Sequence, residues 1–177
     1  ILKGGGSKKT EAAVDAALYW LMRQQDKDGH WDKNKFGIEK NNNGFERRKI
    51  ETNSVLTGLA TLAFISSGHT PSAGKYKETV AKSVDWILQK QLPDGSFGDT
   101  FEFSCYNNSI CALVLSELSG MCPDQKYKVA AQRAIDFILQ TKNVHEGFSN
   151  YSGVPRSTSV NGWLLMAIKS AKLSGLK

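Results

Sequence analysis

The chain has 177 residues, 40% of them apolar, with 16 Gly and only four Pro; that composition suits one globular domain and excludes a disordered or fibrous chain. Its 23 basic and 17 acidic residues leave a net charge of +6. The excess is spread thinly, with no basic stripe beyond Arg47-Arg48-Lys49, so nucleic acid is not an expected partner.

The opening Ile-Leu-Lys-Gly-Gly-Gly-Ser has neither an initiator Met nor a leader. It reads as part of a longer protein whose targeting signal lies elsewhere, so no compartment is assigned. Residues 9–25 follow, with Ala12, Ala13, Ala16, Ala17, Trp20 and Leu21 on one stripe at spacings of three and four, the period of an amphipathic helix. The stretch 26–49 combines a run of Asn with Gly and alternating charge. That is loop chemistry, and a loop of this length is functional or mobile.

Residues 52–68 read as a second helix, 76–91 as a third with the stripe Val80, Val84, Ile87 and Leu88, and 104–120 as a fourth. Residues 125–141, with Ala131, Ala134, Ile135 and Ile138 on one face, and 157–173 complete the series. The longest stretch free of Asp, Glu, Lys and Arg, 52–74, contains Asn, Ser, Thr, His69 and Pro71 and is not a membrane span.

The chain repeats itself. "WLMRQQDKDGHW" (20–31), "WILQKQLPDGSF" (86–97) and "FILQTKNVHEGF" (137–148) superpose without a gap. Each is followed by a second segment with Ser before a β-branched residue: Ser54-Val55, Ser109-Ile110 and Ser159-Val160. The first helices carry four, five and four charged residues, whereas 51–68, 104–120 and 157–173 carry one, one and two. A helix apolar nearly all round is buried, so the second helix of each pair is expected inside and the first outside. The expected fold is all-α: one domain over 1–177 built of three αα-hairpins, 8–68, 76–120 and 125–175, in a layered, curved array.

This paired-helix repeat with Gln-x-x-Asp-Gly-x-aromatic turns resembles the prenyltransferase and squalene-cyclase (squalene-oxidase) repeat superfamily, and most of all a bacterial subgroup of it. The matching segments are "AAVDAALYWLMRQQDKDGHWD", "GHTPSAGKYKETVAKSVDWILQKQLPDGSFG" and "STSVNGWLLMAIKSAKLSGL". The resemblance implies an α/α toroid, here a partial one, in which the turn's aromatic and Gln tie neighbouring hairpins together. A closed ring of the cyclase kind needs more hairpins, so self-association completing a toroid is one expected interaction. The superfamily's reactive signatures are not matched. The chain has no two adjacent Asp, as an alkene-protonating cluster would need. Cys105 follows Phe103-Ser104 rather than an Asp, and no Gly-Cys-Gly-Glu-Gln thioester sequence occurs. Tyr106-Asn107-Asn108 stands where the subgroup has Tyr-Ser-His, and Ser157 where it has Asp.

Three cysteines, Cys105, Cys111 and Cys122, in no ligand spacing, read as small apolar side chains, and no metal and no cofactor are expected. His69 follows Gly68 at a helix end, where a His interacts with exposed carbonyls; His30 and His145 lie in repeat turns. Glu117 is the one charge in 104–120, a carboxylate that must find a donor or face a cavity, and it is the single candidate acid. Asn53, Tyr106, Asn107, Asn108, Ser157 and Thr158 gather where inner helices begin. There they act as caps or as a polar rim for a small anionic or sugar-like ligand. Phe101, Phe103, Tyr106, Tyr151 and Trp163 are candidate aromatic walls. Asn53, Tyr106, Asn107, Asn108, Thr158, Trp163 and His69 are therefore the candidate ligand-binding set. The favoured function is a non-catalytic binding or interaction module, taking a small-molecule or protein partner on the inner-helix face with help from the 26–49 loop. The alternatives are an enzyme of terpenoid or polyprenyl cyclase or transferase type, and a carbohydrate-active α/α barrel.

Overall fold

In the computed structural model, residues 6–36, 52–97, 104–141 and 158–177 are described. Six α-helices lie among them: α1 Lys8–Gln24, α2 Asn53–Ser66, α3 Lys77–Lys90, α4 Ser104–Met121, α5 Gln125–Thr141 and α6 Thr158–Leu173. The architecture is all-helical and α/α toroid-like, and no described helix is long and apolar enough to cross a membrane. The long loop expected over 26–49 starts with the ordered turn 26–31 and a short 3₁₀ turn, Lys33–Phe36; the rest of it lies outside the described residues.

Ser7 opens α1 by accepting from the Thr10 N–H at 3.2 Å while Thr10 Oγ1 accepts from the Ser7 N–H at 2.8 Å, a reciprocal cap. At the end of α2, the His69 N–H reaches back to the Phe64 carbonyl (3.0 Å) and the Gly68 N–H to Ile65 (2.9 Å), closing the last turn.

The helices form two layers. α2, α4 and α6 touch in series, with α4 in the middle, while α3 packs chiefly on α2 and α5 on α4. The packed pairs are thus inner-then-outer, out of phase with the sequence repeat. The reason is loop length: α4 and α5 are joined through 122–124 alone, whereas each outer helix reaches its own inner helix through a longer segment. Short connections leave consecutive helices as neighbours.

Burial follows position in this array. On α4, every residue from Asn107 to Ser116 is buried, as its lack of charge requires. Its neighbours in the inner layer are covered on one side only. α2 buries Ser54, Thr57, Gly58, Ala60, Thr61, Phe64 and Ile65 but leaves Leu59 on the open side, and α6 exposes Leu165 and Met166. The expectation that inner helices are buried holds for α4, and is offset at α2 and α6 by their open faces. The outer helix α1 is the least covered, with Leu18 its one buried residue.

Small side chains set the spacing of the layers. A Cβ on Gly58 of α2 would lie 2.6 Å from Ile110 Cγ2 of α4, so this crossing needs glycine. Thr61 and Ser83, both fully buried, bond each other at 2.9 Å across α2 and α3. Thr61 shares its one hydrogen between Ser83 and the Thr57 carbonyl (2.7 Å), and Ser83 donates to that of Val80 (3.0 Å). These hydroxyls are therefore satisfied inside the core.

Candidate functional site

Two repeat turns, 25–31 and 91–97, are built on one plan. The Gln25 side-chain amide donates to the Gly29 carbonyl of its own turn and to the Thr79 carbonyl of α3, both at 2.9 Å. Gln91 does the same to Gly95 (3.2 Å) and to Ala130 of α5 (2.9 Å). One amide group with two N–H donors thereby holds its turn shut and bolts it to the next outer helix. The glycines are required at both places. Gly29 has φ +103° and Gly95 φ +94°, and a Cβ would come within 2.3 Å of the Lys82 carbonyl oxygen or 2.2 Å of that of Arg133. Only a residue without a side chain adopts that backbone and allows that approach.

The terminal aromatics point inward. Trp31 is only 1% exposed, its indole N–H donating to the Leu21 carbonyl (2.9 Å) and its backbone N–H to Thr57 Oγ1 of α2 (3.1 Å). Phe97 is fully buried, and its backbone N–H is accepted by Asn108 Oδ1 at 2.9 Å. Asn53 plays the matching part, accepting the Lys33 N–H at 3.1 Å. Asn53 and Asn108, expected from the sequence as caps or rim groups, each take a turn N–H. Their side-chain oxygens fasten the preceding turn to the inner helix, because that turn's N–H groups are buried and need acceptors.

The other candidates fall as follows. Tyr106 Oη hydrogen-bonds Ser159 Oγ, joining the starts of α4 and α6. Asn107 is fully buried, Thr158 is exposed at the first position of α6, and Trp163 is half-buried against the core. The inner-helix N-termini of α4 and α6 thus come together. His69 does not join them: it lies past the far end of α2, about 20 Å along the helix axis from Asn53. It meets the Tyr76 ring edge-on at 5.0 Å. Its backbone N–H, rather than its imidazole, satisfies the helix end. Glu117 is half-buried in the last third of α4. Ser157, Phe101, Phe103, Tyr151 and His145 lie outside the described residues.

Asp26, His30 and Asp32 bring ligand atoms within 4.8 Å of one another, a grouping not read from the sequence. Each is already engaged: Asp26 with Lys35 Nζ, His30 Nδ1 with Asp28 at 2.6 Å, and Asp32 with the N–H and amide of Asn34, both at 2.9 Å. A cation would have to displace an ammonium already neutralising Asp26, so this grouping carries no metal assignment. A surface recess of about 310 Å³ lies between α1 and the start of α3, lined by Tyr19, Met22 and Tyr76 among others. It belongs to the outer layer, away from the inner-helix face.

Cys111 is fully buried, and its thiol donates to the Ser54 carbonyl at 3.7 Å. Burial pushes its pKa up, which makes it a poor nucleophile. Cys122 is also buried, Cys105 is partly so, and all three are free thiols, in keeping with their reading as apolar side chains.

An all-helical, two-layered array whose turns are closed by Gln and Gly defines the class: a toroid-like repeat protein of the prenyltransferase and squalene-oxidase superfamily. Within it, the family model for the squalene-hopene cyclase C-terminal domain matches residues 2–110, well over half of the chain and both Gln turns. The chain belongs to that family. No curated protein matches it.

Proposed function

We propose that the chain is a non-catalytic binding or interaction module that takes an apolar ligand or partner segment on its inner-helix face. The observation that carries this is how the inner layer spends its polar groups. Asn53 and Asn108 are bound to turn N–H groups, and Tyr106 is bound to Ser159. Between the polar ends of α6 (Thr158 and Ser159, Lys169 and Lys172, all exposed), the inner layer leaves an aliphatic stretch uncovered: Leu59, Leu165 and Met166 are exposed, and Leu56 and Leu62 partly so. Such a stretch gains by covering apolar area. An aliphatic face suits an isoprenoid chain.

The family match favours a second reading, an enzyme acting on terpenoid or polyprenyl substrates. Under it, Glu117 is the candidate acid, since α2 carries no charge and α6 only Lys169 and Lys172. One experiment separates the two. The chain is incubated with squalene, bound ligand is read by native mass spectrometry, and the extract is assayed for cyclised product. The binding reading expects retention without conversion, equal in the wild type and in Glu117→Gln. Product from the wild type and none from Glu117→Gln, with both melting alike, establishes the enzyme reading instead.

A further inference from the structure

The outer helix α3 begins without a cap. Ser7 closes the start of α1 with its side chain, whereas Tyr76, at the matching position of α3, makes no such bond. The Lys77 N–H reaches the Gly74 carbonyl at 3.3 Å, and the Val80 N–H that of Tyr76 at 3.0 Å. Between them, the Glu78 and Thr79 N–H groups have no hydrogen-bond partner among the described residues. Two adjacent free donors at the positive end of a helix favour an anion.

This helix start is one wall of the recess between α1 and α3. Its side chains supply a second, independent sign of a ligand. Tyr76 and Thr79 both line the recess and are only 4% and 7% exposed, yet neither hydroxyl has a hydrogen-bond partner among the described residues. Buried hydroxyls are normally bonded, so the recess holds unused polar capacity beside its free N–H groups. The facing wall is apolar, formed by Tyr19 and Met22 of α1. Charge and size narrow the occupant further. Lys75 and Lys77 bring two positive charges to the lining and Glu78 one negative, a balance of +1, and none of the three is ion-paired among the described residues. A single negative charge neutralises that balance, whereas a dianion exceeds it. At about 30 Å³ for each water of the liquid, the recess of about 310 Å³ corresponds to a ligand of roughly ten heavy atoms.

We propose that the recess is a second binding site, separate from the inner-helix face, for a small aromatic monocarboxylate. The carboxylate accepts from the Glu78 and Thr79 N–H groups and from the Thr79 hydroxyl, with Lys77 beside it. The ring lies against Tyr19 and Met22, since aromatic and thioether groups both favour contact with a π-system.

The test follows the Glu78 and Thr79 amide resonances of the full chain by NMR during titration with phenylacetate. Two controls divide its features: phenylacetamide has the shape without the charge, and inorganic phosphate has charge without the ring. Phenylacetate is expected to shift both amides saturably, and each control to bind at least about tenfold more weakly. Thr79→Val keeps the side-chain shape and should weaken phenylacetate about fivefold through loss of the hydroxyl. Lys77→Glu, at an exposed position that leaves the fold intact, turns the balance to −1 and should weaken it by about tenfold or more. No saturable shift at these two amides up to about 20 mM phenylacetate overturns the proposal. Equal affinity for phenylacetamide would leave only an apolar hollow, and equal affinity for phosphate only a helix end; either result overturns it too. So does unchanged binding to Lys77→Glu. Shifts confined to α2 and α6 would assign phenylacetate to the inner-helix face and overturn the second site while leaving the first.

Discussion

The turns at 25–31 and 91–97 share a skeleton and differ in their trimming. Both have the Gln clamp and the Gly at positive φ, and in both an Asp carboxylate accepts from the N–H two residues on: Asp28 from His30 at 3.4 Å, Asp94 from Ser96 at 2.9 Å. The first turn adds an indole bond, Trp31 to Leu21, and a stack of His30 on Trp86. The second has Phe in the Trp position and takes instead the Arg133 guanidinium, which donates to the carbonyls of Leu92 (2.7 Å) and Pro93 (2.9 Å). The lesson is that the skeleton fixes where the next helix docks. The trimming only changes how firmly.

Removal of the aromatics breaks the comparison hardest. Trp31→Ala is expected to cost about 4 kcal/mol and Phe97→Ala about 3, each leaving a large cavity in a closed core. Trp31→Phe turns the first turn into the second, and is expected to cost only about 1–2 kcal/mol for the lost indole bond and the smaller ring. Urea unfolding at constant m-value reads all three. If Trp31→Phe costs as much as Trp31→Ala, the hydrogen bond and not the packing holds the turn.

The clamps come next. Gln25→Ala is expected to lose about 2 kcal/mol and Gln91→Ala about 1, because Arg133 still grips the second turn when its Gln is gone. The double variant Gln91→Ala with Arg133→Ala should then lose more than the two single losses added. Simple additivity in that cycle would show the two grips to be independent.

The smallest effect lies in the Asp caps. The hydroxyl and N–H of Ser96 hold the Asp94 carboxyl below its ordinary value. Burial alone would push Asp28 up, but its hydrogen bonds and charge interaction with His30 outweigh that and leave it low as well. A carboxylate depressed in the folded state contributes stability that is present above the unfolded value, about pH 4, and lost as pH falls through the folded one. Ser96→Ala should therefore bring the Asp94 titration, followed by carboxyl carbon NMR, back toward the usual range. It should also shrink the stability lost on going from neutral to acid pH. An unmoved Asp94 titration would mean that Ser96 is not what stabilises the charge.

The six helices, their order and the Gln–Gly turns were legible in the sequence because period, charge count and turn chemistry are local properties. So was the docking role of Gln25 and Gln91, through the resemblance that their spacing carries. The bonds from Asn53 and Asn108 to the preceding turns were not legible, because a side-chain oxygen at a helix start fits a cap, a rim group or a turn acceptor alike. Only the path of the preceding turn, which brings Lys33 and Phe97 N–H groups to them, decides it. The Asp26, His30 and Asp32 grouping was missed because a turn folds those residues together while the sequence shows only three spaced polar residues. The phase of packing was likewise a tertiary matter, since each outer helix chooses its partner by loop length. So was the contrast between Ala134, buried, and Ala17, exposed, at one register position. Identical residues on identical stripes specify the same helix face, but whether that face is covered depends on which neighbour stands against it.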